Sequence, residues 1–203
     1  MGSTSDAYVK MVETKVIAVD LDGTLTLTDS LHEAILVLAR SKPFMLFLLP
    51  FWLAKGVASL KLKVAENSVL DVTTLPYNAP FIDWLKEQKA SGKTIVLCTA
   101  ANKLIARNVC KHFDLFDDFI ASDEYTNLQS ANKRKALEDK YGEHGYDYAG
   151  NSSADLEVWA GAAQAIVVNA SATVLTKASK VASVSETFPS ENPNLSVWLK
   201  ALR

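Results

Sequence analysis

Two acidic residues, Asp20 and Asp22, stand two positions apart immediately after a short apolar run. They are followed by Gly23, whose conformational freedom permits the sharp turn that would bring both carboxylates to one site. Because neighbouring carboxylates repel each other, a cation is their usual partner, and hard oxygen ligands favour Mg²⁺. The spacing therefore indicates a metal site, with a solvated acidic turn as the alternative interpretation.

Five short apolar runs are the elements that would position these carboxylates. The runs are continuous and do not alternate with polar residues, which is typical of strands in a parallel sheet covered on both faces. The first run ends directly before Asp20, so both carboxylates would lie at the carboxyl end of that strand. The runs comprise residues 15–19, 94–98, 118–121, 146–149 and 165–168.

Helical patterns separate most of these runs. Phe81 with Leu85, and Ile105 with Val109, have the spacing that places two side chains on one helix face. Strands alternating with helices predict an α/β fold with a doubly wound, mainly parallel sheet, whose ligand site lies beyond the carboxyl ends of the strands. The helical patterns cover residues 81–89, 103–113, 131–141 and 155–160.

The connection after the first strand is much longer than an ordinary crossover. Residues 30–77 have helical composition and no strand pattern, which predicts a helical cap inserted above the carboxyl edge of the sheet. Residues 14–29 and 78–203 would then form the core. Residues 1–13 would be a flexible N-terminal tail or a tag.

Composition and charge exclude several classes of function. A net charge of −2 and a pI of about 5.9 leave no basic field for nucleic acid, so no nucleic-acid partner is expected. Cys98 and Cys110 are interpreted as reduced thiols of a cytosolic protein. Residues 1–6 lack the apolar core of a secretory signal. We therefore expect a cytoplasmic location.

Three further motifs follow the Asp20 segment, each at the end of a predicted strand or the start of a helix. Thr99 follows the second strand, Lys133 opens a helix, and Gly150-Asn151-Ser152-Ser153-Ala154-Asp155 follows the fourth strand. Together with Asp20-Leu21-Asp22-Gly23-Thr24-Leu25-Thr26, these motifs make residues 14–170 resemble the haloacid dehalogenase (HAD) superfamily. Lys135 competes with Lys133 for the position of the third motif.

The resemblance implies a Mg²⁺-dependent phosphatase. In this family the residue matching Asp20 attacks phosphorus and forms an aspartyl-phosphate intermediate. The residue matching Asp22 protonates the leaving oxygen and then takes a proton from the hydrolytic water. Lys133 would offset charge on the equatorial oxygens of the phosphoryl group.

The resemblance also implies a set of substrate and metal contacts. Thr99 would hydrogen-bond the transferring phosphoryl group. Gly23, Thr24 and Ala100 would complete the substrate-binding loops, with Thr24 bracing the first of them. The metal ligands would be Asp20, the main-chain carbonyl of Asp22, Asn151 and Asp155.

Asn151 departs from the family motif, which has an aspartate at this position. A neutral amide oxygen can ligate Mg²⁺ but attracts it less strongly than a carboxylate does. We therefore expect weaker metal binding in a site that keeps three acidic residues.

The segment of residues 43–54 carries no charge and contains two prolines. It is too short to span a bilayer, which takes about twenty helical residues. One interpretation is that its side chains pack inside the cap and against the sheet. The other is an interfacial surface that contacts a membrane or admits a lipid chain, which would make the protein peripheral at the cytoplasmic membrane face.

Several segments resemble the phosphatase-like domains fused ahead of UbiA-type membrane prenyltransferases. This resemblance implies that a membrane domain, absent from this chain, follows in a longer protein, and that the substrate is a phosphorylated isoprenoid-linked compound. The segments are Asp29-Ser30-Leu31-His32-Glu33, Leu48-Leu49-Pro50-Phe51-Trp52-Leu53-Ala54, Leu75-Pro76-Tyr77-Asn78, Tyr148-Ala149-Gly150-Asn151-Ser152 with Ala154-Asp155-Leu156, Val167-Val168-Asn169-Ala170 and Trp198-Leu199-Lys200-Ala201-Leu202-Arg203.

Other functions stay open at this point. The position of the cap resembles that of phosphoserine phosphatases, so the substrate could be a soluble metabolite like phosphoserine, and a phosphotyrosyl protein is a further alternative. A different class of function is a catalytically weak module that binds a phospholipid or regulates a membrane partner domain. Asn151 and the apolar cap motivate that alternative.

Overall fold

A six-stranded sheet forms the centre of the computed structural model, which describes residues 14–190. Its strands are β1 (Val16–Val19), β2 (Thr94–Asn102), β3 (Asp118–Ser122), β4 (Asp147–Gly150), β5 (Ala165–Val168) and β6 (Val184–Phe188). They are ordered β3-β2-β1-β4-β5-β6, and each neighbouring pair is parallel. The carboxyl ends of all strands therefore meet at one edge, and the predicted α/β fold with a parallel sheet is confirmed.

Helices connect the strands and flank the sheet. The α-helices are α1 (Ser30–Ser41), α2 (Leu49–Ala54), α3 (Val57–Asn67), α4 (Ala79–Ala90), α5 (Lys103–His112), α6 (Ala131–Tyr141), α7 (Leu156–Gly161) and α8 (Ala172–Val181). Three 3₁₀ helices span Pro43–Leu48, Val72–Thr74 and Ser153–Asp155. None of the helices within residues 14–190 is both long enough and apolar enough to cross a bilayer.

The core consists of two apolar layers, one on each face of the sheet. In β1, Ile17 and Val19 point to one layer and Ala18 to the other, as the alternation of side chains along a strand requires. Phe81 packs in the first layer, and Tyr148 and Trp159 pack in the second. Because both faces of β1 and β5 are covered, these strands consist of apolar residues, which explains why their sequences do not alternate.

Helices α1, α2 and α3 lie between β1 and β2, within the segment predicted as the cap. Asp29 begins α1 by accepting hydrogen bonds from the backbone N–H groups of Leu31 and His32. Helix α3 packs against α1 and α2, and it also contacts β2 and α5 in the core. The predicted tail at residues 1–13 and the resemblance at 198–203 lie outside the described residues.

Two elements near the end of the described chain, α8 and β6, were not predicted. Strand β6 is an edge strand whose central residues Ser185, Glu186 and Thr187 are exposed, so it lacks the continuous apolar run used to identify the others. Strand β2 is also longer than predicted. It continues to Asn102 through an irregularity in its pairing with β3 between Thr99 and Asn102.

Candidate active site

The carboxylate of Asp20 lies at the carboxyl edge of the sheet, directly after β1. Its backbone N–H donates to the carbonyl oxygen of Ala149 at 3.0 Å, which ties the start of the loop to β4. Its Oδ1 accepts a hydrogen bond from the backbone N–H of Leu21 at 2.9 Å. The same oxygen lies 2.9 Å from the Nζ of Lys133, which approaches from α6.

Lys133 is buried in the first turn of α6, with 3% of its surface exposed. Its ammonium group lies 3.8 Å from Oδ1 of Asp155 and donates a hydrogen bond to the hydroxyl of Tyr148 at 2.7 Å. One cation thus lies within reach of both Asp20 and Asp155. Lys135, the competing candidate, is exposed on the same helix, so the geometry favours Lys133.

Asp155 has hydrogen-bonding partners on both of its oxygens. Oδ1 accepts from the Tyr148 hydroxyl at 2.9 Å. Oδ2 accepts from the backbone N–H groups of Asn151 and Ser152 and from the Ser152 hydroxyl, at 2.9 to 3.1 Å. The bond from the Ser152 backbone N–H is one half of a capping box at the 3₁₀ turn that precedes α7, and in the other half the Ser152 side chain accepts a hydrogen bond from a backbone N–H of the turn. The carboxylate predicted as a metal ligand therefore fixes the loop after β4 and pairs with Lys133.

Burial and charge shift the pKa values of this cluster. Burial raises the pKa of Asp20 to about 7, although the nearby charge of Lys133 acts in the opposite direction. Burial lowers the pKa of Lys133, but the charges of Asp20 and Asp155 outweigh it and raise that pKa above its ordinary value. The two carboxylates therefore favour the charged form of Lys133, whereas burial opposes the charged form of Asp20.

The loop after Asp20 is held from both sides. Gly23 has a φ of +76°, and a Cβ added there would lie 2.1 Å from Nδ2 of Asn151, so the side chain of Asn151 packs directly on the loop. Asn169 donates from Nδ2 to the Gly23 carbonyl oxygen at 3.1 Å. The Thr24 hydroxyl, expected to brace the loop, is buried without a hydrogen-bond partner among residues 14–190. The Thr26 hydroxyl bonds to the Leu21 carbonyl oxygen instead, at 3.0 Å.

Asp22 faces the cap. Its Oδ1 accepts a hydrogen bond from the backbone N–H of Ser30, the first residue of α1, at 2.7 Å. Burial raises the pKa of Asp22, which favours the protonated form that a general acid needs. Asp22 lines a small open cleft between the cap and the core, together with Lys61 of α3 and Ile105 of α5.

Thr99 and Ala100 lie near the end of β2, beside the loop after β1. Thr99 is fully buried, and its hydroxyl accepts a hydrogen bond from the backbone N–H of Ala101 at 2.9 Å, which leaves its hydrogen available for donation. The Ala100 carbonyl oxygen accepts from the Nζ of Lys61 at 2.7 Å and from the Ser122 hydroxyl at 2.8 Å. Ala100 thus connects β2 to both β3 and the cap.

The residues around this loop offer hard oxygen donors for a divalent cation. Asp20 supplies a carboxylate, Asp22 a main-chain carbonyl, and Asn151 an amide oxygen on a side chain packed against Gly23. Mg²⁺ typically takes one or two carboxylates and keeps waters or substrate oxygens as further ligands, so this donor set fits it. No group of three Asp, Glu, His or Cys side chains within residues 14–190 is arranged to hold a metal ion.

Three residues of the site were not assigned by sequence reasoning. Tyr148 bridges Lys133 and Asp155, Lys61 reaches the core from the cap, and Asn169 holds the Gly23 loop. Asn169 follows β5 at the same edge as the predicted residues, and this placement was the signal that could have revealed it. Lys61 and Tyr148 carry no such signal, since their roles depend on the packing of distant elements.

Comparison with known proteins identifies a family and a relative. The haloacid dehalogenase-like hydrolase family matches residues 17–159. The uncharacterized protein y4nM of Sinorhizobium fredii is 32% identical over 186 residues, which cover 91% of this chain and 36% of the relative. The chain therefore spans about a third of the length of that curated relative.

Solved structures of low sequence identity share the fold. Phosphoserine phosphatase in its apo form is 15% identical, with a TM-score of 0.61, 93% of this chain covered and 98% of that chain. The cobalt-bound deoxy-D-mannose-octulosonate 8-phosphate phosphatase of Haemophilus influenzae is also 15% identical, with a TM-score of 0.51, 87% of this chain covered and 78% of that chain. At these identities the likeness concerns the fold alone.

Proposed function

Because the chain belongs to the haloacid dehalogenase-like hydrolase family, we propose that it is a Mg²⁺-dependent phosphomonoester hydrolase with Asp20 as the nucleophile. The observation that carries this proposal is the ion pair between Asp20 and the buried Lys133, 2.9 Å apart at the carboxyl edge of the sheet. A buried carboxylate and a buried cation at this edge would flank a phosphoryl group that enters through the cleft beside Asp22.

Asp20 and Asp22 divide the proposed chemistry between them. A carboxylate oxygen of Asp20 attacks phosphorus, and the bond from phosphorus to the leaving oxygen breaks. Asp22, whose pKa burial raises, gives its proton to that oxygen. Asp22 then takes a proton from a water that attacks the aspartyl phosphate, which releases inorganic phosphate and regenerates both carboxyl groups.

Fixed charges and hydrogen bonds complete the proposed site. Lys133 offsets negative charge on the phosphoryl oxygens, and the Thr99 hydroxyl donates a hydrogen bond to one of them. Tyr148 and Asp155 hold Lys133 in position. Asp20, the Asp22 carbonyl and Asn151 would hold Mg²⁺, which would supply positive charge that favours the ionised form of Asp20 and offsets charge on the phosphoryl group.

For the substrate we propose a phosphorylated isoprenoid-linked or other membrane-associated compound. The resemblance to prenyltransferase-fused domains and the apolar cap support this choice. We also propose that a membrane domain follows this chain in a longer protein, and the greater length of the Sinorhizobium relative is compatible with that arrangement. The alternative substrate, a soluble metabolite, is supported by the similarity in fold to phosphoserine phosphatase, and a phosphotyrosyl protein stays as a third alternative.

A phosphatase assay tests the proposal. We expect Mg²⁺-dependent release of phosphate from p-nitrophenyl phosphate, and Asp20→Asn should reduce kcat by at least about a thousandfold. Asp83→Asn is the matched control, because Asp83 is exposed on α4 and should leave the rate unchanged. Equal rates for wild type and Asp20→Asn contradict the proposal, as does an inactive wild type over sugar phosphates, phospho-amino acids, phosphopeptides and prenyl phosphates.

A second candidate function is a non-catalytic module that binds a phosphorylated lipid or regulates a membrane partner domain. Asn151 favours it, because this position supplies an amide where the family motif has a carboxylate. Calorimetry of Mg²⁺ binding, combined with the phosphatase assay, distinguishes the two functions. Binding of Mg²⁺ without turnover on any substrate of the panel favours the module, whereas binding with turnover favours the enzyme.

A further inference from the structure

The 3₁₀ helix Pro43–Leu48 and helix α2 together form what we call the cap tip, residues 43–54. We propose that the cap tip docks on the surface of an anionic lipid bilayer. This inference goes beyond the proposed hydrolase function, because it concerns a surface whose binding can be measured without any substrate.

The cap tip exposes large apolar side chains to an unusual degree. Phe44, Phe47 and Phe51 are 84%, 76% and 68% exposed, and no residue of the two helices is buried. The alternative in which these phenylalanines pack inside the cap or against the sheet is therefore wrong. Leaving three phenylalanine rings in water costs free energy that burial in an apolar medium would recover.

The apolar face of the cap tip consists of its exposed large side chains, which are Phe44, Phe47, Leu48, Phe51 and Leu53. Met45, Leu46 and Leu49 lie between them in the sequence and are partly buried. The cap tip packs against α1 and α3 rather than against the sheet. Trp52, which is partly buried, belongs to the packed side. Within residues 14–190, the apolar face is therefore left uncovered.

The charged residues that flank the cap tip in the sequence are all basic. No acidic residue occurs between Glu33 and Glu66, although the chain as a whole has a net charge of −2. Arg40, Lys42 and Lys55 flank the cap tip and are exposed. A short amphipathic segment with aromatic side chains on one face and basic residues at its borders is typical of helices that lie in the interface of an anionic membrane.

The same charges argue against other occupants of the face. A second copy of the chain docked through this face would bring two sets of basic side chains together, and their repulsion would oppose a symmetric dimer. A helix across the bilayer is also excluded for this segment, because twelve residues interrupted by a proline fall short of the length required. A lipid surface offers both the apolar medium and the complementary charge.

Vesicle flotation with the full 203-residue chain tests the proposal. The vesicles consist either of phosphatidylcholine alone or of phosphatidylcholine mixed with phosphatidylglycerol. We expect the protein to float with the anionic vesicles and much less with the neutral ones. The triple variant Phe44→Ser, Phe47→Ser, Phe51→Ser should lower the partition coefficient by at least about tenfold.

Matched variants separate the apolar from the electrostatic contribution. Each of Arg40→Gln, Lys42→Gln and Lys55→Gln should lower partitioning to anionic vesicles by about fivefold and change little on neutral ones. The control is the double variant Val69→Ser, Tyr125→Ser, which removes side chains that are 90% and 86% exposed outside the cap tip. This control should float like the wild type.

Folding and self-association are checked on the same samples by circular dichroism and sedimentation velocity. Flotation of the folded triple variant at the level of the wild type overturns the proposal, as does a wild type that floats with neither kind of vesicle. A wild-type dimer that the triple variant converts to monomer, without any vesicle binding, assigns the face to a second copy and also overturns it. If the triple variant fails to fold, Phe47→Ser alone and the three charge variants decide the result.

Discussion

Two buried carboxylates belong to neighbouring strands of the sheet but lie at its opposite edges. Asp20 follows β1 at the carboxyl edge, where Lys133 lies 2.9 Å away. Asp147 begins β4 at the amino edge, and its Oδ1 has no hydrogen-bond partner among residues 14–190. Lys93, near Asp147, directs its ammonium group to the main-chain carbonyl oxygen of Thr14 at 2.5 Å.

Burial raises the pKa of both carboxyl groups, so burial alone does not identify a functional site. The difference lies in what surrounds each group. At the carboxyl edge a buried cation, a tyrosine hydroxyl and a second carboxylate form one connected network, whereas the amino edge leaves its carboxylate with an unsatisfied oxygen. A perturbed carboxylate is informative when the structure also supplies its counter-charge.

Removing that counter-charge should have the largest effect. Lys133→Met would leave Asp20 and Asp155 buried without their cation, so we expect a loss of at least about a thousandfold in kcat. The free energy of unfolding should fall by about 3–5 kcal/mol. Phosphatase assays and urea titrations measure both quantities. Lys135→Met, an exposed position on the same helix, is the control, and an equal loss there would show that the buried ion pair is unimportant.

Removing the hydroxyl bridge between Lys133 and Asp155 should have the next largest effect. Tyr148→Phe removes a hydroxyl that accepts from one and donates to the other, so we expect a loss of about 1–3 kcal/mol in stability and a lower kcat. Tyr146→Phe is the matched control, because its buried hydroxyl has no partner among residues 14–190. Thermal unfolding measures the Tm of each variant. An equal decrease in Tm for both variants would show that the hydrogen bonds of the Tyr148 hydroxyl do not stabilise the site.

Adding a negative charge at the carboxyl edge tests whether this edge, rather than the amino edge, binds the metal. Asn151→Asp would place a second carboxylate against the Asp20 loop, and we expect Mg²⁺ to bind about tenfold more tightly, as measured by calorimetry. Asn132→Asp adds the same charge at an exposed position and should leave the affinity unchanged. Unchanged affinity in Asn151→Asp would place the metal elsewhere.

The smallest effect is expected from a substitution of Asp147 at the amino edge, and it concerns stability. Because the folded-state pKa of Asp147 is raised above 3.8, the folded protein binds this proton more tightly than the unfolded chain does. Stability should therefore decrease as the pH rises from 3.8 through the folded-state pKa and then level off.

Asp147→Asn should remove this pH dependence and raise stability above neutral pH by about 1 kcal/mol, with activity unchanged. Urea titrations across the pH range measure the effect, with the exposed Asp139→Asn as the control. A variant that loses stability above neutral pH would show that the Asp147 carboxylate is better satisfied than its contacts indicate.

Sequence patterns predicted the part of the site that depends on strand ends. Asp20, Asp22 and Asn151 follow strands that pair in parallel, and Thr99 lies near the end of such a strand, so their meeting at one edge follows from the fold. Lys133 was assigned through the motif, and its burial distinguishes it from Lys135.

The remaining contacts depend on three-dimensional packing that no local pattern encodes. Tyr148 has the sequence context of a core residue, and only the approach of α6 gives its hydroxyl a role. Lys61 is separated by 39 residues from the carbonyl that it contacts, so its role depends on how the cap is placed. Strand β6 was missed because an exposed edge strand needs few apolar residues.

The hydrogen bond from the backbone N–H of Ser30 connects Asp22, the proposed proton donor, to helix α1. Since Ser30 is the first residue of α1, a swing of that helix away from the sheet would pull on the carboxyl group or release it. In the proposed mechanism, any movement of α1 would therefore also change the position of the Asp22 carboxyl group relative to the leaving oxygen.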